Sequence, residues 1–267
     1  YKTMNKGFEA DEVRIFGKMY KNGHIYKGLK PVYWCAKDET ALAEAEIEYQ
    51  DDPCTTVYVK FPMKDDLGKL GHLDLSKLSF VIWTTTIWTL PGNLAIALHP
   101  DEAYAVVKAP NGEMYIMAEA LTEKVMKIGG FDSYEIVETH PGRFFENMLA
   151  QHPFLDKTSR LLLADYVTMD SGTGCVHTAP GFGADDYQTC MRYGMEMVVP
   201  VDDQGRHTEY AGKYAGLKTD ESNPIILNDM KESGALFASE EIVHSYPHCW
   251  RCKSPIIFRA TPQWFCS

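Results

Sequence analysis

Two stretches of the 267-residue chain carry side chains that could bind a polar ligand or hold a reactive water. The first spans residues 83–93 and reads WTTTIWTLPGN. Three adjacent threonines follow its first tryptophan: Thr84, Thr85 and Thr86. At the end of a strand, hydroxyls and unpaired peptide groups suit hydrogen bonding to a sugar, an ester or a water. Threonine is also a common strand residue, so composition alone favours a structural interpretation.

The second stretch spans residues 172–187 and reads GTGCVHTAPGFGADDY. His177 and Asp186 lie nine residues apart across a glycine-rich bend, so both could face one small cavity. Each also has an ordinary explanation, since an acid complements the dipole at a helix start and a histidine on an apolar strand is more often a core residue. Cys175 shares a strand face with His177, but the strand rise separates them by about 6.6 Å, which disfavours a thiol–imidazole pair.

Three cysteines are candidate metal ligands. Cys249 and Cys252 form a C-x-x-C pair, which can supply half of a tetrahedral zinc site. Cys35 is the upstream cysteine with a similar context, but the residue three positions later is Asp38 and not a second cysteine. The sequence therefore offers Cys35, Cys249 and Cys252 for a structural zinc.

The composition is that of an ordinary globular chain, with 45% hydrophobic and 24% charged residues. A net charge of −11 argues against free-standing, non-specific nucleic-acid binding, which needs a positive field. The seven cysteines are odd in number and irregularly spaced, which disfavours a disulfide framework and favours a reducing, cytoplasmic compartment. No apolar run reaches membrane length, so we expect no membrane partner.

Hydrophobic periodicity and turn residues predict many short strands with a few helices between them. This pattern is typical of an α+β fold, here with a β-barrel-like core and peripheral helices. The predicted helices cover residues 8–21, 119–127, 144–150, 184–193 and 224–233. The predicted strands cover residues 30–35, 44–49, 55–61, 78–86, 94–98, 104–108, 114–117, 134–137, 161–169, 174–178, 198–201, 242–246 and 256–259.

Taken together, the two stretches resemble the isoleucyl-tRNA synthetases. Residues 83–97 are similar to the threonine-rich peptide of that family, and residues 172–187 are similar to its second editing motif. Residues 30–35, 41–49 and 245–265 resemble the stem that flanks the editing domain. Valyl and leucyl relatives usually carry Thr-Thr-Arg where this chain has three threonines, so the resemblance is to the isoleucyl members.

The resemblance implies a domain organisation. The class I signature motifs, His-Ile-Gly-His-like and Lys-Met-Ser-Lys-Ser-like, are absent from the sequence, so we expect the connective-peptide insertion without its catalytic domain and without amino-acid activation. Residues 1–47 would form an N-terminal helix and stem segment, and residues 48–240 the editing domain. Residues 241–267 would form a C-terminal stem segment that returns to the catalytic domain. The two chain ends would then build a β-rich stem.

The resemblance also implies post-transfer editing. Valine lacks one methylene of isoleucine, a difference worth about 1–3 kcal/mol, for which isoleucyl-tRNA synthetases are themselves the standard example. A second site too small for isoleucine would hydrolyse the ester of Val-tRNA(Ile) with a positioned water and no cofactor. The partners would be the 3′ end of tRNA(Ile) carrying valine, and the parent catalytic domain; valyl-adenylate is a further candidate substrate.

The family's functional positions map onto this chain residue by residue. Asp186 would bind the α-ammonium of valine, His177 would form the wall that rejects isoleucine, and the threonines would hold the terminal adenosine and the ester. The implied catalytic residues are Thr84, Thr85, Thr86, His177 and Asp186. The implied substrate contacts are Trp83, Asn93, Gly174, His177 and Asp186.

Two other functions compete with this hypothesis. One is a non-catalytic module that orients tRNA and carries an inactive pocket. The other is an unrelated metal hydrolase that uses His177, Asp185 and Asp186 as ligands.

Overall fold

A closed ring of six strands forms the centre of the structure, a computed structural model that describes residues 2–267. The strands are, in chain order, β1 Ile25–Cys35, β2 Thr40–Leu42, β3 Ile47–Asp65, β4 Leu78–Thr84, β5 Ala95–Leu98, β6 Ala103–Lys108, β7 Met114–Ala118, β8 Glu135–Pro141, β9 Leu149–Gln151, β10 Thr158–Leu163, β11 Val176–Thr178, β12 Leu236–Cys249 and β13 Ile257–Cys266. The ring runs β3–β9–β10–β5–β11–β4 and closes because β4 pairs again with β3. Closure leaves no free edge inside the barrel.

The ring is mixed in direction, and its strand β5 is apolar throughout. β10 pairs parallel with β5, and β11 pairs parallel with β4 and antiparallel with β5. All four residues of β5 are buried, as expected for a strand covered on both faces. β11, which carries His177, thus lies between the strands that precede and follow the threonine-rich stretch.

The sheet extends beyond the ring on two sides. β4 pairs with β7, which continues to β6 and β8, and all five residues of β7 are buried. On the other side β12 pairs with β3 along most of its length, from Val59 opposite Leu236 to Ile47 opposite Cys249. The main hydrophobic core fills the ring and this extension.

The two chain ends form a separate three-stranded sheet. β1 pairs antiparallel with β13 from Ile25 opposite Cys266 to Trp34 opposite Ile257, and β2 adds to β1. The α+β fold, the barrel-like core and the β-rich stem are confirmed. The boundaries at 47/48 and 240/241 stay predictions; β12 runs unbroken through the second of them.

Within residues 2–267, four α-helices lie at the periphery. They are α1 Lys6–Lys21, α2 Thr122–Ile128, α3 Ala184–Arg192 and α4 Thr219–Glu232. α1 buries none of its residues, and its side chains Val13, Ile15, Phe16 and Tyr20 are exposed in this chain. None of the helices within residues 2–267 combines the length and the apolar character that a membrane crossing requires.

Two predicted elements are wrong. The helix expected over 144–150 is instead a 3₁₀ turn, Gly142–Phe145, followed by β9, because the chain must join the ring there. The extended run at 198–201 forms no strand and contributes one bridge, Val201 with His207. Elsewhere the boundaries shift: β4 ends at Thr84, two residues early, and α4 begins at Thr219, five residues early.

Candidate functional site

The threonine-rich stretch leaves the ring and turns at once. After β4 ends at Thr84, residues Ile87–Gly92 form a 3₁₀ turn in which every residue is buried. Thr84 Oγ1 accepts a hydrogen bond from the Thr86 amide at 3.0 Å. The carbonyl of Thr84 accepts from Thr56 Oγ1 at 3.1 Å, and that of Thr85 accepts from Cys54 Sγ at 3.0 Å. Side chains therefore replace the strand partners that the backbone loses here.

The side-chain hydroxyls of Thr85 and Thr86 are unpaired, whereas the backbone carbonyls of both residues accept hydrogen bonds. Within residues 2–267 neither hydroxyl makes a hydrogen bond, and both side chains are half-buried. Both residues line a cavity of about 930 Å³ between the ring and the stem. These two hydroxyls are therefore available to a ligand.

A hydrogen-bond relay connects this stretch to the second one. The Ser159 hydroxyl donates to Asn93 Oδ1, and Asn93 Nδ2 donates to His177 Nδ1 at 2.8 Å. On the other side of the imidazole, His177 Nε2 lies 3.0 Å from Thr89 Oγ1, and the Thr89 hydroxyl donates to the Thr86 carbonyl at 2.8 Å. The Thr89 hydroxyl gives its one proton to the Thr86 carbonyl, so Thr89 Oγ1 must accept from His177 Nε2.

The relay fixes the chemical state of His177. Asn93 Nδ2 also donates to the Ala95 carbonyl at 2.8 Å, which orients the amide and makes His177 Nδ1 an acceptor. Nε2 must then carry the proton and donate to Thr89. Burial, aided by the positive charge of Lys157, lowers the pKa of His177 to about 3, so the ring is neutral at physiological pH.

This geometry disfavours two of the alternatives for His177. Both ring nitrogens are occupied by protein, so neither is free to ligate a metal with Asp185 and Asp186. Cys175 does not pair with the ring; its Sγ lies 3.8 Å from the Ile116 carbonyl, and burial raises the pKa of the thiol. Any contact of His177 with substrate must use its carbon edge, which suits a steric wall.

Asp186 reaches back from the first turn of α3 to the end of β11. Its Oδ2 accepts a hydrogen bond from the Ala179 amide at 2.8 Å, while Oδ1 makes no hydrogen bond within residues 2–267. Burial raises the pKa of Asp186 to about 6, assisted by the neighbouring charge of Asp185 and opposed by the Ala179 amide and the Tyr166 hydroxyl. A half-buried carboxylate with one free oxygen suits a cation that would replace its lost hydration.

Two glycines with positive φ shape the backbone before β11. Gly172 has φ 71°, and a Cβ there would lie 2.9 Å from the Trp83 ring. Gly174 has φ 72°, and a Cβ there would lie 2.4 Å from Ala118 Cβ. The Gly174 carbonyl accepts from the Tyr104 hydroxyl at 2.7 Å. These residues are packed against the sheet, and the substrate contacts expected of Trp83 and Gly174 stay predictions.

The structure thus joins some of the expected site residues directly and others through the backbone. Thr86, Asn93 and His177 share one relay, and Asp186 is tied to it through Ala179, two residues after His177. The large cavity is lined by Thr85 and Thr86, whereas Asp185 lines a separate cavity of about 300 Å³ beside α3.

The candidate metal ligands meet where the stem joins the ring. The ligand atoms of Cys35, Asp38, Cys249 and Cys252 all lie within 4.8 Å of one another. Cys35 Sγ is 3.4 Å from Cys252 Sγ, and Cys249 Sγ is 3.5 Å from an Asp38 oxygen. Three thiols and one carboxylate at this spacing fit a tetrahedral zinc ion, with Asp38 as the fourth ligand.

Sequence reasoning missed several of these residues. Asp38 stands where a second cysteine would be expected, and a carboxylate is itself a zinc ligand. Thr89 lies inside the first stretch, four residues before Asn93, and was not singled out. Ser159 belongs to neither stretch, and no local pattern points to it.

Comparison with known proteins places the chain in a family. The model of the class I tRNA synthetases (I, L, M and V) matches residues 1–267, so the chain belongs to that family. Within it, the chain is 53% identical over 269 residues to the isoleucine–tRNA ligase of Caldicellulosiruptor saccharolyticus and 51% identical over 265 residues to that of Kosmotoga olearia. The resemblance to isoleucyl-tRNA synthetases is confirmed.

The chain corresponds to part of those proteins. It aligns over 100% and 99% of its own length but spans 29% and 28% of the two relatives. The crystal structure of GlLeuRS-CP1 has a TM-score of 0.55 at 14% identity, covering 70% of this chain and 99% of that one. The cytosolic leucyl-tRNA synthetase editing domain of P. knowlesi has a TM-score of 0.53 at 11% identity, covering 72% and 97%. At such identities the likeness shows a shared fold.

Proposed function

We propose that this chain is the editing module of an isoleucyl-tRNA synthetase and hydrolyses the ester of valine misattached to tRNA(Ile). The observation that supports this best is the relay from Thr86 through Thr89 to His177 and Asn93, which unites the two motifs in one site. Similarity to isoleucine–tRNA ligases and, in fold, to leucyl-tRNA synthetase editing domains also supports this proposal.

The residues have separate tasks in this reaction. The free Oδ1 of Asp186 binds the α-ammonium of the valyl group, which would stabilise the carboxylate in turn. The hydroxyls of Thr85 and Thr86 hydrogen-bond the terminal ribose, the ester carbonyl or the attacking water. The carbon edge of His177, held by hydrogen bonds on both nitrogens, forms a wall against the longer isoleucyl side chain.

The chemistry needs no covalent intermediate. Water adds to the ester carbonyl carbon, the bond to the ribose oxygen breaks, and a proton from the water ends on that oxygen. The products are free valine and a 3′-terminal hydroxyl. An aminoacyl ester is already activated, so orienting the water and stabilising the developing oxyanion supply the rate.

The cysteine cluster has a structural role in this proposal. Cys35, Asp38, Cys249 and Cys252 would hold a zinc ion that fastens the C-x-x-C turn to the end of β1. The ion would stabilise the stem without entering the hydrolysis.

Deacylation of purified aminoacyl-tRNA tests the proposed function. A full-length isoleucine–tRNA ligase containing this chain should release valine from Val-tRNA(Ile) much faster than isoleucine from Ile-tRNA(Ile). Asp186→Asn keeps an acceptor for the Ala179 amide but loses the charge, and should slow valine release at least 30-fold, the equivalent of about 2 kcal/mol. Asp185→Asn is the matched control and should retain activity.

The same experiment distinguishes the competing function. If the wild-type protein releases valine no faster than the uncatalysed reaction while still binding tRNA(Ile), the chain is a tRNA-orienting module with an inactive pocket. If Asp186→Asn and Asp185→Asn are equally active, Asp186 is not the anchor for the ammonium.

A further inference from the structure

A half-buried lysine lies behind the threonine-rich stretch and belongs to neither motif. Lys157 sits at the end of the hairpin between β9 and β10, which the His152 amide closes by donating to the Lys157 carbonyl at 2.9 Å. Its Nζ donates to the Pro91 carbonyl at 2.5 Å. Within residues 2–267 the ammonium has no carboxylate partner, and burial lowers its pKa to about 8.

Side chains of the same hairpin hydrogen-bond to three residues at the C-terminal end of the 3₁₀ turn: Leu90, Pro91 and Asn93. His152 Nε2 donates to the Leu90 carbonyl at 2.9 Å, and the Ser159 hydroxyl donates to Asn93 Oδ1. The bond from Lys157 supplies a donor to the Pro91 carbonyl, one of the carbonyl oxygens that a 3₁₀ turn leaves unpaired at its C-terminal end. The Leu90 carbonyl also accepts from the Asn93 amide at 2.9 Å, so the bond from His152 is its second. The hairpin therefore supports the segment that begins the relay to His177.

A half-buried ammonium without a carboxylate partner is an unfavourable arrangement for stability alone. Burying a charge costs free energy that a single carbonyl only partly offsets, whereas methionine of similar length would incur no such cost. The charge does act on the site, because its field is one cause of the lowered pKa values of His152 and His177.

We propose that Lys157 is a positioning residue of the editing site. It holds the Pro91 carbonyl and thereby keeps the 3₁₀ turn and Asn93 where Thr89 and Asn93 can hydrogen-bond His177. This role rests on the proposed function. Through its charge, Lys157 also helps to keep the His177 ring neutral, so that Nδ1 can accept the hydrogen bond from Asn93.

The role predicts a pH dependence with a defined sign. The pKa of Lys157 is lowered to about 8, so the ammonium is charged below that pH and is lost as the pH rises through it. The titratable groups whose charges couple to it are His152 and His177, both with pKa values lowered to about 3 and therefore neutral across this range. Activity that depends on the Lys157 charge should fall above about pH 8. An arginine at this position would remain charged.

Steady-state deacylation of Val-tRNA(Ile) by the full-length enzyme tests the proposal with three variants. Lys157→Met should lower kcat about 10-fold or more with little change in KM, since it removes a hydrogen bond from a charged donor. Lys157→Arg should restore most of kcat at pH 7.5. Lys64→Met is the control, because Lys64 is exposed and donates to Gln151 of β9 at 2.8 Å; it should match the wild type.

The pH profile separates positioning from a merely structural role. After subtraction of the uncatalysed rate, the wild type should lose activity between pH 8 and 9 relative to Lys157→Arg, because both share any titration of the substrate amine. Superimposable profiles, or a Lys157→Met kcat within twofold of the wild type, would overturn the role. If Lys157→Met fails to fold, the comparison of wild type with Lys157→Arg still decides the question. A wild type that cannot release valine at all would remove the proposed function, and this role with it.

Discussion

Asn93 Nδ2 lies 2.8 Å from His177 Nδ1, and the two residues are fully or almost fully buried. They come from the two different motifs, 84 positions apart in the chain. Their contact shows that the threonine-rich stretch and the histidine-bearing stretch fold as one unit. It also determines that the imidazole is a neutral acceptor at Nδ1 and a donor at Nε2.

Replacing Asn93 by aspartate should break this unit. A carboxylate cannot donate to His177 Nδ1 or to the Ala95 carbonyl, so two buried acceptors lose their partner and stability should fall by about 1–3 kcal/mol. The expected measurement is a lower urea midpoint. Asn111→Asp is the control, because Asn111 is exposed and its Oδ1 accepts from the Glu113 amide, a bond that aspartate can keep. Equal midpoints for the two variants would contradict the prediction.

The pKa of Asp186 predicts how valine release depends on pH. Because that pKa is raised to about 6, the carboxylate becomes protonated as the pH falls through 6 and the site loses its anchor for the ammonium. Valine release should therefore decline between pH 7 and 5, as measured by single-turnover deacylation. Asp186→Asn should abolish the decline along with most of the activity. A flat wild-type profile over this range would be inconsistent with the anchor.

The raised pKa of Asp186 also makes the stability of the native state depend on pH. The native state holds a proton on Asp186 more tightly than the unfolded chain does, whose aspartate titrates at 3.8. This stabilising contribution is fully present below pH 3.8 and is lost as the pH rises through 6. Asp186→Asn should accordingly gain stability relative to the wild type at pH 8 and not at pH 3.5.

Rejection of isoleucine should not depend on pH in the range where valine release does. Because the pKa of His177 is lowered to about 3, the ring does not change charge between pH 5 and 8, and the ratio of valine to isoleucine release should stay constant over that range. His177→Ala removes the wall and should raise hydrolysis of Ile-tRNA(Ile). Deacylation of both esters at several pH values checks this. A variant that still spares the isoleucyl ester would show that His177 is not the wall.

The sequence predicted the fold better than it predicted the connections within the site. Apolar alternation and turn residues predicted most strands, and motif content predicted Thr84–Thr86, Asn93, His177 and Asp186. It did not predict β9, because three residues in a closed ring are selected by their neighbours and carry no periodic signal of their own. Ser159 and Lys157 were missed for a related reason, since their partners are 66 positions away in the chain.

Removal of metal should loosen the stem and leave the ring folded. We expect about one zinc per chain by atomic absorption, and a melting temperature that falls by at least about 4 °C when a chelator is added. Cys252→Ser should lower the zinc content, while Cys266→Ser should not, because Cys266 is exposed at the chain end and lies outside the cluster. Asp38→Cys should tighten binding, since a thiolate is the softer ligand. Zinc content unaffected by Cys252→Ser would rule out this site.

Close packing behind the second motif gives a prediction with an internal control. Gly174→Ala combines a positive φ of 72° with a Cβ that would lie 2.4 Å from Ala118 Cβ, so β7 or β11 must shift. We expect a loss of about 2–4 kcal/mol in unfolding free energy. Gly112→Ala has a similar φ of 85° with nothing within 4 Å of the new Cβ. Its loss of stability, about 1 kcal/mol, therefore measures the cost of the backbone conformation alone. Urea unfolding of both variants measures the difference, which is the cost of the contact with Ala118. If the two losses are equal, the backbone conformation alone explains the glycine and the packing of Gly174 against β7 contributes nothing.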